Sequence, residues 1–263
     1  AYDQTVAPPY TKSAAVLLKP YNFAWHIEGN SFYDEGFTVS TGNRCSPTAI
    51  SVQRPSLLNM PGTRIVGNFI GGSAPLCLGA PLTATSTGTA ELQLNGISVE
   101  AGTDTAFITG NLITNIQLNG NKSINDPLYS SDVLYGFIGI NCGDGVFAVR
   151  NNVVGGASGS SLIANNLVNG QDTVIGIMAG TTSGNPIQIL IENNVVGGIS
   201  TTASGSNLCA IFGFFRRVGT GYTRLIGNTF GSTTSANSLH AQSTTTAPQI
   251  LRGIWCAIIL LQI

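Results

Sequence analysis

Charge is scarce in this chain. Asp, Glu, Lys and Arg make up only 9% of its 263 residues, and the formal net charge is -1. No basic stripe runs along it, so there is no electrostatic case for a nucleic-acid partner. Long apolar runs are also lacking. No stretch reaches the ~18–20 apolar residues that a membrane-crossing helix needs. The closing run Cys256-Ala257-Ile258-Ile259-Leu260-Leu261-Gln262-Ile263 is far too short, so no membrane insertion is expected. Trp and Tyr number 2 and 7 and form no aromatic row that would make a sugar-binding platform. There are five cysteines, Cys45, Cys77, Cys142, Cys209 and Cys256, with no C-x-x-C pair among them. That argues against a zinc site. An odd count leaves at least one thiol, most simply a small buried apolar residue. Cys45 with Cys77 is the disulfide left open. His26 and His240 have no partner pattern for a metal or a triad, and Arg216-Arg217, which interrupts an apolar run, reads as a bulge or an exposed edge. No cofactor is expected.

What the chain does have is one recurring line, Ile189-Leu190-Ile191-Glu192-Asn193-Asn194-Val195-Val196-Gly197-Gly198. With Asn194 as anchor, an apolar residue lies three before it and another two after it. The residue directly before it is Gly or Asn. The same frame fits at Asn30, Asn68, Asn111, Asn152, Asn166 and Asn228, giving seven copies. Gly, and next to it Asn, tolerate left-handed backbone, so each copy reads as a sharp turn between two strands with apolar residues pointing inward. Seven such turns signal a repeat architecture. The main anchors Asn30, Asn68, Asn111, Asn152, Asn194 and Asn228 are 38, 43, 41, 42 and 34 residues apart. Asn166 follows Asn152 by only 14 residues and reads as an extra strand pair inside a long loop.

Each period also holds an apolar run ahead of the turn, such as Leu92–Val99, Val133–Ile140, Val174–Met178, Leu208–Phe214 and Ile250–Trp255. One period therefore reads strand, turn, strand, tight Asn turn, strand, long polar loop. The pattern resembles the right-handed parallel β-helix of the pectin-lyase-like solenoids over about residues 24–263. That resemblance implies an all-β, single-domain solenoid of six to seven coils, with the anchor asparagines stacked as a hydrogen-bonded ladder. The loop composition, as in Gly231-Ser232-Thr233-Thr234-Ser235, resembles secreted surface proteins of Bacteroidetes. Asp104-Thr105-Ala106 and Asp172-Thr173-Val174 resemble the O-glycosylation acceptor of that group, which implies glycans on Thr105 and Thr173.

The chain begins at Ala, which fits a mature N-terminus left by signal removal, so an extracellular, secreted protein is expected. Residues 1–22 lie outside the frame and residues 23–263 carry the coils. The first segment opens with Val6-Ala7-Pro8-Pro9-Tyr10, which should be extended. A short apolar strand, Ala14-Ala15-Val16-Leu17-Leu18, follows. It is either a strand folded over its own first coil or an arm that pairs with another molecule. At the far end Gly253-Ile254-Trp255 begins a coil that no Asn turn completes. A solenoid's end coils leave one side unpaired, and such edges invite another chain unless they are capped.

Pairing of one end with the opposite end is a heterologous contact, which generates open filaments. The expected function is therefore a structural subunit of an extracellular bacterial filament, assembling head to tail with itself as partner. Its contact would involve Val6, Tyr10, Ala15, Val16, Leu17 and Leu18 at one end. At the other it would involve Ile254, Trp255, Ile258, Ile259, Leu260, Leu261 and Ile263. A cell-surface adhesin or glycan-binding module is the alternative. Polysaccharide lyase or hydrolase chemistry is disfavoured, because clustered or paired carboxylates are needed and the 12 acidic residues are mostly isolated. Glu28 and Glu192 both lie two before an anchor, but Val66, Thr109 and Arg150 hold that position in the coils between them.

Overall fold

The structure, a computed structural model, describes residues 11–19, 24–40, 44–53, 62–87, 90–101, 105–120, 136–156, 161–166, 172–180, 187–203, 209–217, 220–232, 238–243 and 249–256. It is an all-β, right-handed parallel β-helix whose wall consists of four parallel sheets. Sheet A holds Thr11–Leu18, Arg44–Val52, Leu94–Val99, Phe137–Cys142, Asp172–Ala179, Cys209–Arg216 and Gln249–Cys256, in that spatial order. The short strand Glu91–Leu92 joins it at its side. Sheet B holds His26–Glu28, Arg64–Val66, Thr105–Thr109, Gly145–Arg150, Ile187–Glu192 and Thr223–Ile226. Sheet C holds Ser31–Phe32, Phe69–Ile70, Leu112–Ile113, Val153–Gly155, Val195–Gly197 and Thr229–Phe230. Sheet D holds Gly36–Val39, Leu82–Ser86, Ile116–Gly120, Leu162–Asn166, Ile199–Ala203 and Leu239–Ser243. Each coil runs A, B, C, D.

Register keeps like residues above one another. Inward columns are Val16–Ile50–Ile97–Ile140–Ile177–Phe214–Ile254 in sheet A and Ile27–Ile65–Ile108–Val149–Ile191–Leu225 in sheet B. Sheet C adds Phe32–Ile70–Ile113–Val154–Val196–Phe230. The middle members are fully buried and form one continuous core. In a parallel stack every side chain contacts its counterpart in the coils above and below. A β-branched residue therefore packs against its own kind along the axis.

Sheet A turns a corner midway along each strand, at Gly96, Gly139, Gly176, Gly213 and Gly253, with Ala15 and Ala49 at that position in the first two strands. The space there is closed. A Cβ at Gly139 would lie 2.6 Å from both Val154 Cγ1 and the Gly176 carbonyl oxygen. Only a residue without a side chain lets sheet A approach sheet C this closely. This small-residue column is absent from the sequence reading.

Three expectations are corrected, and the Cys45–Cys77 pairing left open is decided. Leu162–Asn166 is no extra pair inside a loop; it is the regular sheet D strand of its coil, with Leu162 and Ala164 fully buried. The polar stretch after Asn228 likewise contains the sheet D strand Leu239–Ser243. All five cysteines are unpaired, Cys45 and Cys77 included. Arg216 and Arg217 are buried rather than at an exposed edge. Arg216 donates to the Thr220 carbonyl at 3.1 Å, and burial pulls its pKa below the usual guanidinium range.

The strand Thr11–Leu18 pairs in parallel with Arg44–Val52 along its length. Of the two readings of this segment it adopts the strand folded over its own first coil, so the solenoid's described strands begin at residue 11. Among the described residues, no helix is long and apolar enough to cross a membrane.

Candidate functional site

The six anchor asparagines stack along the turn between sheets B and C. The residue before each adopts left-handed backbone: Gly29 (φ 66°), Gly67 (60°), Gly110 (66°), Asn151 (53°), Asn193 (55°) and Gly227 (60°). That conformation explains the Gly-or-Asn restriction. It turns the chain sharply enough to aim the anchor side chain along the solenoid axis.

Each anchor donates from both its backbone N–H and its Nδ2 to the Oδ1 of the next. Asn30 bonds to Asn68, Asn68 to Asn111, Asn111 to Asn152, Asn152 to Asn194 and Asn194 to Asn228, at 2.9–3.0 Å. The remaining Nδ2 hydrogen goes back one coil. Asn68 reaches the Ile27 carbonyl, Asn111 that of Ile65, Asn152 that of Ile108, Asn194 that of Val149 and Asn228 that of Ile191, at 2.8–2.9 Å. Asn68, Asn111, Asn152 and Asn194 are 0–1% exposed. A buried amide is stable only when its donors and acceptor are met, and the ladder meets them with copies of the same residue.

The ladder therefore has a direction. Donors point toward the C-terminal end and acceptors toward the N-terminal end. Among the described residues, nothing donates to Asn30 Oδ1 and nothing accepts from the Asn228 backbone N–H. The next backbone bonds run the opposite way: Phe69, Leu112, Val153, Val195 and Thr229 each donate to the anchor carbonyl one coil earlier.

Among the described residues, the outermost strands at the two ends have no partner on their outer side in any of the four sheets. At the N-terminal end these are Thr11–Leu18, His26–Glu28, Ser31–Phe32 and Gly36–Val39. At the C-terminal end they are Gln249–Cys256, Thr223–Ile226, Thr229–Phe230 and Leu239–Ser243. The sheet A edges are both eight residues long and the sheet C edges both two. The N-terminal mouth contains a cavity of about 300 Å3 lined by Pro47, Ala49, Leu94, Phe32, Ile70 and Leu82. The C-terminal face shows Leu251 and Ile254, each 53% exposed, although their columns are otherwise buried.

Of the residues expected at the contact, Ala15, Val16, Leu17 and Leu18 lie on the first strand and Ile254 and Trp255 on the last. Leu18 is buried in the chain's own core, and Trp255 stacks on Phe215 with ring centroids 4.5 Å apart. Val6, Tyr10, Ile258, Ile259, Leu260, Leu261 and Ile263 lie outside the described residues. Thr173 is 1% exposed, which closes it to a glycosyltransferase in the folded chain; Thr105 is half-buried at the start of its strand.

The outer face of sheet A changes character along the axis. Its N-terminal half is a polar groove of about 150 Å3 lined by Ser46, Thr48, Gln93, Asn95, Ser98 and Asn141. An amide–hydroxyl network links these side chains: Gln93 donates to Asn95, Asn95 to Ser46 and Thr48, and Asn141 to Ser98, at 3.1–3.3 Å. Its C-terminal half is a second apolar cluster of Ile138, Ile175, Met178, Ala210, Phe212 and Phe215. Arg150 Nε lies 3.0 Å from Glu192 Oε2 across neighbouring coils, and His26 lies 3.0 Å from Glu28 on the exposed first coil. No His, Cys, Asp and Glu group that could hold a metal occurs among the described residues. Comparison with known proteins finds no family model, no curated protein and no solved structure that matches this chain.

Proposed function

We propose that this chain is a structural subunit that stacks head to tail into an extracellular bacterial filament, such as a biofilm-matrix or cell-surface fibre, with no catalytic role. Secretion, a likeness to pectin-lyase-like solenoids and a Bacteroidetes source belong to the same reading. The observation that carries it is the one-way ladder. Asn228 offers its backbone N–H and Nδ2, Asn30 offers its Oδ1, and a second copy in continuous register joins them. Ser31 N–H then meets the Asn228 carbonyl of that copy, as Phe69 meets Asn30 within one chain. Edges of equal length follow in sheets A and C, and edges one residue apart in length in sheets B and D. About ten net hydrogen bonds at ~0.5–1.5 kcal/mol each, with apolar burial added, offset an association cost of ~4–15 kcal/mol.

Electron microscopy of the purified protein tests the reading. Strands stacked at ~4.8 Å give a subunit about 30 Å long, which sets the expected axial repeat. A covalent version adds direction. Sheet A register sets Cys256 above Leu18, since the column runs Leu18, Val52, Val99, Cys142, Ala179, Arg216, Cys256. Neighbouring strands fall within the ~4.4–6.8 Å Cα separation that a disulfide spans. Leu18→Cys should therefore form long oxidised ladders with the native Cys256, and the further change Cys256→Ser should abolish them. Isolated particles, or disulfide dimers alone, would overturn the reading.

The polar groove favours a second reading, an adhesin that takes neutral glycans on single subunits. Binding of a neutral oligosaccharide by dispersed protein, lost on Asn95→Ala, is the outcome that selects it.

A further inference from the structure

We infer that the cavity at the N-terminal mouth is a socket for Leu251 of a second copy. The inference rests on the head-to-tail reading and adds what fixes the register of the contact.

One inward column of sheet A carries the argument. It contains Leu94, Phe137, Val174, Ile211 and Leu251. Toward the N-terminus the same register continues it through Pro47 to Ser13, which pair with each other. Phe137, Val174 and Ile211 are fully buried, and Leu94 is 8% exposed. The column thus carries large apolar side chains in the middle and tapers to a compact ring and a hydroxyl at the N-terminal end. The neighbouring small-residue column, glycine in the later coils, adds only the methyl groups of Ala15 and Ala49 at that end. Where the first column tapers and its neighbour supplies nothing larger than a methyl, the cavity opens, and Ala15, Pro47, Ala49 and Leu94 line it. Phe32 and Ile70 of sheet C and Leu82 of sheet D close its far walls.

The C-terminal end is the converse. There the column finishes in Leu251, 53% exposed on a strand whose inner neighbour Ile211 is fully buried. In continuous register Leu251 lies directly over the tapered column of the next copy, facing the cavity. Ile254 falls over Val16 in the adjacent column and extends the isoleucine stack across the junction. Bulk is missing at one end and projects at the other in the same column. A one-residue slip in sheet A would swing Leu251 to the outer face, because side chains alternate along a strand. The socket therefore rejects wrong registers as well as holding the correct one.

The test measures the concentration at which the full-length protein assembles, by sedimentation, with the melting profile of dispersed subunits as a folding control. Leu251→Ala should raise that concentration roughly 10-fold or more, the effect of leaving a buried leucine's contact unmade. Leu251→Met, similar in volume, should stay within about 3-fold of the parent. Ala15→Phe fills the socket from within and should raise the concentration as Leu251→Ala does. If the parent assembles and both Leu251→Ala and Ala15→Phe assemble equally well, the socket is wrong and the stacking reading stands. If the parent stays monomeric at every concentration, the stacking reading itself fails.

Discussion

Asn152 and Asn30 occupy the same position of the same turn, yet their surroundings differ. Asn152 is fully buried, receives two hydrogen bonds on Oδ1 from Asn111, and donates to Asn194 and to the Ile108 carbonyl. Asn30 makes only the donations to the next coil, turns its other Nδ2 hydrogen to the Glu28 carbonyl of its own turn, and stands exposed. The anchor and its turn are alike in the two places, and what Asn30 lacks among the described residues is a coil on its N-terminal side. Stability in such a stack belongs to junctions between coils rather than to coils themselves. An end is half a junction, and in the proposed filament that half is where a second copy would add.

The largest effect should separate these two positions. Asn152→Ala strands both donors of Asn111, removes the Nδ2 donor from Asn194 Oδ1 and leaves the Ile108 carbonyl without its amide partner, so a loss of about 3 kcal/mol or more is expected in urea unfolding. Asn30→Ala should cost under ~1 kcal/mol in dispersed subunits. Equal losses would break the comparison. Next comes close packing. Gly139→Ala puts a Cβ against Val154 in the middle of the solenoid and should cost about 1–3 kcal/mol, whereas Ala49→Val beside the mouth cavity should change stability by less than ~0.5 kcal/mol.

A smaller effect is expected at the half-exposed Arg150–Glu192 pair. A double-mutant cycle there should return ~0.2–1 kcal/mol, shrinking as salt is added.

Thiol chemistry sharpens the contrast without a large energy. Cys256 is exposed and should be alkylated in the native protein, while fully buried Cys142 should react only on unfolding. Burial pushes the Cys77 thiol up from 9.0 to about 11. The unfolded thiol thus loses its proton first, and the stability Cys77 contributes is complete below pH 9.0 and declines as pH rises through about 11. A melting temperature that is flat or rising across that window would contradict this.

The ladder and the wall of sheet A were legible in the sequence because both depend on residues with few substitutes. Left-handed backbone admits little besides Gly and Asn, and the inward side of sheet A is nearly all Ile, Val and Phe. Sheet D was not legible. Its strands, such as Leu82-Thr83-Ala84-Thr85-Ser86 and Ile199-Ser200-Thr201-Thr202-Ala203, set small or polar residues beside few large apolar ones, and they resemble loops in composition. Leu82, Ile116, Leu162, Ile199 and Leu239 form one column, but they lie 14, 5, 10, 5 and 11 residues after their anchors, so no constant spacing marks it in the sequence. Arg216 was misread for a related reason. It sits in an inward column beside Ala179, and a charged residue there violates the pattern that reveals its neighbours. The cavity leaves no sequence signal because it is made by an absence, Ser13 and Pro47 in a column where later coils carry Leu, Phe, Val and Ile.

The direction of the asparagine bonds has one more consequence. Every rung of the ladder points the same way, so in the proposed filament a chain of subunits would be an arrow, its tip and its tail chemically different objects at any length. Two such arrows meeting tip to tip would set ladder donor against ladder donor and leave the Asn228 N–H of each without an acceptor. Elongation at the two extremities is then free to run at unequal speeds, and a reagent that caps Asn228 would halt one extremity and leave the other growing.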